Sequence, residues 1–222
     1  MKLFKYMENK WATELVNNGS LRINSLNYFK DHEAHGEAIG DAEENTLQVY
    51  TNPEYRDGNT LNEFEKQFVR IEGEGDKSGI VFNDCTFTQS HQGLPTYALC
   101  LSDTYCTDLQ RRMSESNIAA GNSPYDACIE IDDHVEFVKL VSEAVFQKVG
   151  LEYYGHGHCF YKERRIPWET WNPRSQQCPA FIKPLGYSWQ KEIRIIFKTA
   201  SHNDLEPIDI SIPAIKKLCR FI

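Results

Sequence analysis

Nine residues near the C-terminal end, Trp189-Gln190-Lys191-Glu192-Ile193-Arg194-Ile195-Ile196-Phe197, constrain the fold of this chain more than any other segment. β-Branched and aromatic residues dominate, and charged side chains alternate with apolar ones, which is the period of a strand and not of a helix. Read as one strand, the segment puts Gln190, Glu192 and Arg194 on one face and Lys191, Ile193, Ile195 and Phe197 on the other. One face then packs on a core. The other is a polar row, either a solvated surface with a Glu192 to Arg194 contact or a row that binds something.

Such a strand needs partners, and shorter segments supply them. Residues 3–7, 21–23, 47–50, 68–71, 79–82, 97–102, 127–131 and 208–213 read as strands, with turn residues between them. Helical spacing is confined to a few places. Trp11, Leu15 and Val16 make a short helix that Asn17-Asn18-Gly19 stops, residues 61–67 hold a turn or two, and 108–116 form a second helix. The clearest runs through Val135, Val138, Val141 and Val145, capped by Asp132-Asp133 and ended by Gly150. Strands outnumber helices and do not alternate with them, so the expected class is α+β with mainly antiparallel sheets flanked by helices. At 222 residues the chain lies below the ~250–300 at which single cores stop growing. A single domain over 1–222 is expected, without repeats or linkers.

The first residues, Met1-Lys2-Leu3-Phe4-Lys5-Tyr6, lack the apolar stretch of a signal peptide. No apolar run approaches the ~20 residues that span a bilayer. A cytoplasmic protein with no membrane partner is expected. Seven cysteines are scattered without a C-x-x-C pair and are expected to be reduced and mostly buried. The net charge of −8 argues against broad binding to a nucleic-acid backbone but leaves room for a local basic groove.

Three regions carry further candidate chemistry. The loop with Asp31, His32, Glu33, His35, Asp41, Glu43 and Glu44 either gathers a divalent cation or is solvated. Its His32-Glu33-Ala34-His35 falls one residue short of the zinc-protease spacing. His156, His158, Cys159 and the distant Cys178 are zinc-ligand types, but their spacing favours a polar loop, and no metal is assigned. The strip Phe160-Tyr161-Lys162-Glu163-Arg164-Arg165, with Trp168, Trp171 and Arg174, is the best local nucleic-acid candidate, by base stacking and arginine contacts. The alternative is that its tryptophans fill the core. No nucleophile-elbow motif supports a serine or cysteine hydrolase.

Leu3-Phe4-Lys5-Tyr6, Gly19-Ser20-Leu21-Arg22, Cys100-Leu101-Ser102, Ala127-Cys128-Ile129-Glu130 and Trp189 to Arg194 occur in that order. The ordered set resembles an uncharacterised bacterial domain family found in phage-defence and abortive-infection settings. The opening strand, helix and strand are similar to the start of ADP-ribosyltransferases of the DarT and diphtheria-toxin-like kinds, and Gln190-Lys191-Glu192 is similar to their closing Q-x-E or E-x-E motif. The first strand departs from those classes in having neither their Arg nor their His-Gly. Cys100-Leu101-Ser102 is likewise not Ser-Thr-Ser.

The resemblance implies a split-sheet transferase fold with NAD as substrate. Glu192 would be catalytic and Gln190 would meet the acceptor. Lys5, Tyr6, Arg22 and Ser102 would hold the dinucleotide, and Arg164, Arg165 and Trp168 would contact a macromolecular acceptor, RNA among the candidates. A toxin or antiphage effector of this kind implies a cognate antitoxin and chaperone. Breaking the nicotinamide–ribose bond builds positive charge on the ribose, which a fixed carboxylate stabilises most in the transition state. Two other classes stay open: a divalent-metal nuclease or phosphodiesterase on the acidic loop, and a non-catalytic module that senses a nucleotide or a phage protein.

Overall fold

The computed structural model describes residues 1–31, 34, 40–52, 55–57, 60–69, 81–172, 178–198 and 206–222. Strand β1 (Leu3–Met7), helix α1 (Asn9–Asn18) and strand β2 (Ser20–Ser25) open the chain. Gly19 separates the last two at φ 70°, and a Cβ there would lie 2.1 Å from the Ile212 carbonyl oxygen. Glycine is thus required twice over, by conformation and by contact. Strands β3 (Thr46–Thr51), β4 (Tyr55–Asp57), β5 (Val81–Asn83) and β6 (Phe87–Gln92) lead to β7 (Thr96–Ser102).

Helix α2 (Thr107–Ala119), β8 (Ala127–Ile131) and α3 (His134–Val149) follow. Asp133 caps α3 by accepting from the Val135 and Glu136 N–H groups, and Gly150 closes it at φ 70°. The remaining strands are β9 (Glu152–His158), β10 (Phe160–Tyr161), β11 (Arg165–Pro167), β12 (Ile182–Lys183), β13 (Glu192–Lys198), β14 (Ile208–Ser211) and β15 (Cys219–Phe221).

Eight of these form an antiparallel sheet in the order β14-β2-β7-β1-β8-β15, with β13 and then β9 on the other edge of β7. Smaller sheets join β11, β3 and β6, β10 and β12, and β4 and β5. The fold is α+β and mostly antiparallel, as the patterning predicts.

β7 organises the site. Along one edge it pairs with β13 from Ser102↔Glu192 to Thr96↔Lys198. Its other edge is shared: β2 pairs at Tyr97 and Ala98, and β1 pairs only at Ser102. Leu99, Cys100 and Leu101 stand opposite neither strand, so β1 and β2 splay apart over the middle of β7. Helices α1 and α3 cover one face of the sheet, where Leu15, Val141, Leu99, Ile129, Ile195 and Phe197 share a continuous core. Full burial of one such side chain contributes about 1.5–3 kcal/mol.

The segment 189–197 differs from its sequence reading at both ends of the argument. Leu185–Gln190 is a 3-10 helix, Lys191 turns the chain at φ 48°, and the strand starts at Glu192. Its polar face is buried as thoroughly as its apolar one, because further elements cover it. Phe68 ends a short 3-10 turn (Glu65–Gln67) instead of opening a strand, and residues 70–71 and 79–80 lie outside the described residues. Strands β9 to β12 occupy a stretch that the sequence left unassigned. Among the described residues no helix is long and apolar enough to cross a membrane.

Candidate functional site

The splay of β1 from β2 leaves a cavity of about 140 Å³ over the centre of β7, lined by Lys5, Cys100, Ser102, Gln190, Glu192 and Arg194 among others. Glu192, at the head of β13, is pinned through its backbone. Its N–H donates to the Tyr161 hydroxyl (2.7 Å), and its carbonyl accepts from the Cys159 N–H (2.9 Å).

The Glu192 carboxylate is shared between two cations. Arg194 Nε donates to Oε1 at 2.6 Å, and Lys183 Nζ donates to Oε2 at 2.5 Å. Arg194 continues the chain with two bonds of 2.9 Å to Glu44 and one of 2.5 Å to the Ala180 carbonyl. Arg164 extends it further, donating to Asp41 at 2.7 Å and to the Ile182 carbonyl at 2.9 Å, with Glu44 3.6 Å away. All six side chains are buried; Glu192 is 5% exposed and Arg194 1%. Burial alone would push the Glu192 carboxyl up, but Arg194 and Lys183 outweigh it and hold the group well below the usual carboxylate range. Burial likewise opposes the Lys183 charge, and Glu192, with Glu44 and Cys100, more than restores it.

Lys5 stands apart from this chain. Its ammonium donates to the Cys100 carbonyl (3.2 Å), the backbone group exposed by the splay. Burial lowers its pKa, an effect that Cys100 and Glu192 counter only in part.

The other expected site residues have definite places. Gln190 reaches the cavity from the 3-10 turn, not from the strand, and its Oε1 accepts from Lys183 at 2.5 Å. Ser102 Oγ lies 3.1 Å from the Gln190 carbonyl, tying that turn to β7. Tyr6 lines the cavity from a small core shared with Phe4, Leu109 and Cys128. Its hydroxyl is engaged, donating to the Thr104 carbonyl (2.9 Å) and accepting from the Cys106 N–H (2.8 Å). Arg22 sits at the exposed rim, bound through two 2.8 Å contacts to Asp209, its cross-strand neighbour.

The basic aromatic strip is not one surface. Arg164 is a buried ion-pair partner, which corrects its reading as an acceptor contact: its neighbours on β3 and β12 enclose it with Asp41. Arg165 is exposed, its guanidinium 4.7 Å from the centre of the Tyr50 ring. Trp168 stacks on Phe64 at 4.8 Å. Arg174 lies outside the described residues.

The acidic loop is also corrected in part. Asp41 and Glu44 are not solvated but buried against Arg164 and Arg194. His32, Glu33 and His35 lie outside the described residues. Among the described residues no group of three or more His, Cys, Asp or Glu side chains is placed to hold a metal ion. His156 and His158 lie on β9, where His158 is 3.4 Å from Asp103. The cysteines are unpaired, and burial pushes the Cys128, Cys159 and Cys219 thiols up to about 12.

Lys183, Glu44 and Tyr161 complete the site, and sequence reasoning did not single out Lys183 or pair Glu44 and Tyr161 with Glu192 and Arg194. One signal was present: Arg194 interrupts a run of Ile and Phe, and a charge within a fully buried strand demands a buried partner. No family model matches the chain, and no curated protein or solved structure matches it either.

Proposed function

We propose that the cleft is the NAD site of an ADP-ribosyltransferase-like domain, a toxin or antiphage effector that transfers ADP-ribose to a macromolecule, with RNA the first acceptor to test. The observation that carries this reading is the placement of Glu192. A buried carboxylate, its pKa held low by Arg194 and Lys183, lines a cleft opened by the parting of two strands. Its oxygens accept from Arg194, Lys183 and the Cys100 thiol, and the carboxylate keeps lone-pair capacity for a ribose hydroxyl. A carboxylate held in this way stabilises the positive charge that develops on the ribose as nicotinamide leaves. Lys5, whose ammonium pairs with no carboxylate among the described residues, is suited to a pyrophosphate. A cytoplasmic site of action and a neutralising antitoxin with its chaperone belong to the same proposal.

A second reading has one observation in its favour. Because both Glu192 oxygens are neutralised while no carboxylate among the described residues pairs with Lys5, the cleft also suits a module that binds an anionic nucleotide without turning it over.

The test is intact labelled NAD incubated with the protein and fractionated cell extract, without added divalent metal. Transfer of label to RNA, DNA or protein supports the transferase. Binding of NAD without transfer or hydrolysis points to the sensing module. Metal-dependent cleavage of nucleic acid without NAD consumption overturns both.

A further inference from the structure

Beside the cleft lies an exposed surface that joins aromatic rings to unpaired cations, the combination expected of residues 160–174. Helix α2 borders the cavity through Met113. The residue before it, Arg112, is exposed, and its guanidinium carbon lies 4.1 Å from the centre of the Trp189 ring. Trp189 is half-buried against the small core of Phe4, Tyr6, Leu109 and Cys128, so its indole is a fixed base for the guanidinium. Tyr105 is 44% exposed, with its ring 6.1 Å from that of Phe4 in the same core. The backbone on either side of Tyr105 is tied to the Tyr6 hydroxyl, through the Thr104 carbonyl and the Cys106 N–H.

Lys191 adds a second cation. It is exposed, stands between Gln190 and Glu192 in the chain, and adopts φ 48°. Glycine would hold this left-handed turn without strain, so a lysine is carried here against the backbone preference. Such a departure next to the site is grounds for seeking a role for the side chain. Among the described residues neither Arg112 nor Lys191 pairs with a carboxylate. The two acids of α2, Asp108 and Glu115, are held by Arg111. Asp103, whose N–H donates to the Lys191 carbonyl, is engaged by Thr104 and lies 3.4 Å from His158.

A guanidinium laid flat on an indole keeps its outer face for a base and its N–H edge for a phosphate. Single-stranded RNA offers both groups together, whereas a duplex hides its base faces. An acidic peptide would meet the charges and leave the stacked plane unused. We propose that Arg112, on its Trp189 base, and Lys191 form the surface on which single-stranded RNA lies beside the Glu192 cleft, one base stacking on Arg112 and phosphates meeting both cations, with Tyr105 a second exposed ring. That this RNA is the acceptor rests on the transferase reading above; the binding surface does not.

The experiment is fluorescence anisotropy of a short labelled single-stranded RNA of mixed sequence, beside the same sequence as DNA and as duplex RNA, across a salt series. The proteins are wild type, Arg112→Lys, Lys191→Gly and the double variant Arg112→Ala with Lys191→Gly. Both positions are exposed and glycine suits the turn, so the variants keep the fold. Wild type should bind the single strand about tenfold more tightly than the duplex. The double variant should lose about tenfold or more, and its slope of log affinity against log salt should flatten by about 1.4, at about 0.7 for each phosphate contact. Arg112→Lys keeps the charge and loses the plane, so it should keep the slope and lose about fivefold in affinity. Equal binding of strand and duplex, tighter binding of DNA than RNA, unchanged affinity in the double variant, or full affinity in Arg112→Lys overturns the proposal. This readout needs no NAD. Labelled NAD added to the same RNA then tests the transferase: variant-sensitive binding without transfer keeps the surface and discards the transferase. Transfer that the double variant leaves unchanged at subsaturating RNA, or transfer to protein alone with no RNA bound, keeps the transferase and discards the surface.

Discussion

Replacing Glu192 by Gln removes one charge at nearly constant volume and strands the cation beside it. Arg194 retains both contacts to Glu44, whereas Lys183 keeps only Gln190 Oε1 and the face of Tyr187, 5.0 Å from its ring centre. Lys183 is buried, so the cost is that of an uncompensated interior charge, about 3–5 kcal/mol. Against a total stability of about 5–15 kcal/mol, the single variant is expected to unfold about 10 °C or more below wild type. Loss of activity in Glu192→Gln alone would therefore not separate chemistry from folding.

A double-mutant cycle does. In Glu192→Gln with Lys183→Met the stranded charge is gone, and a buried pair replaced at both ends is often close to neutral. Urea unfolding of wild type, both single variants and the double should show the double more stable than Glu192→Gln by at least ~2 kcal/mol. Lys183→Met alone should cost less than Glu192→Gln, since Arg194 still pairs with the carboxylate. If the proposed function holds, the double variant, folded but without its carboxylate, should transfer no ADP-ribose. A Glu192→Gln protein within ~0.5 kcal/mol of wild type, or single effects that simply add, would refute the coupling of Glu192 to Lys183.

The pH dependence follows from the sign of the same shift. Because the folded Glu192 carboxyl is held low, its stabilisation is fully present above the ordinary Glu value of about 4.3 and is lost as pH falls below it. Wild type and Glu192→Gln should thus converge in acid, read as unfolding midpoints across pH. Lys183 is raised, so its share is present below about 10.4 and is lost only as pH rises beyond it. Arg164→Ala should cost about 3–5 kcal/mol by leaving Asp41 buried and unpaired, whereas Arg165→Ala should stay within about 1 kcal/mol. If RNA is the acceptor, Arg165→Ala should flatten the salt dependence of RNA binding by about one phosphate contact. Gly19→Ala should destabilise by about 1–3 kcal/mol, from strain at φ 70° and the clash with Ile212, measurable in the same unfolding assay.

The elements legible in the sequence are those whose signal is local. Leu3–Met7, Asn9–Asn18, Ala127–Ile131 and His134–Val149 each carry a period and a cap or stop within a few residues, and each forms. Strand β9 was not legible, because Tyr153, Tyr154, His156 and His158 with intervening glycines show no apolar alternation on a sheet edge. Gln190 and Glu192 converge on Lys183, but through a left-handed turn at Lys191 that alternation does not foresee. Asp41 and Glu44 read as solvated because a loop composition says nothing about the distant arginines that bury it. The same limit misplaced Arg164: its neighbours in sequence are basic and aromatic, and its neighbours in space are acids from residues 41–44.

The network's charges bear on whether a protein of net charge −8 can offer an anion this cleft, as the proposed function requires. Asp41, Glu44 and Glu192 balance Arg164, Arg194 and Lys183, so the buried chain is neutral. Lys5 adds an unbalanced cation at the split. Buried ion pairs contribute little net stability compared with apolar packing of the same volume, so their concentration on one wall of a cleft is better understood as positioning. Two cations fix both the ionisation and the orientation of Glu192, and neither needs to reorganise when charge develops nearby. On the proposed function, a protonated Lys5 would favour a compact phosphate-bearing ligand inside the cleft over a nucleic-acid backbone, which a protein of net charge −8 repels at longer range. On the same proposal a macromolecular acceptor would approach from outside the cleft, where Arg165 is exposed and Arg164 is not.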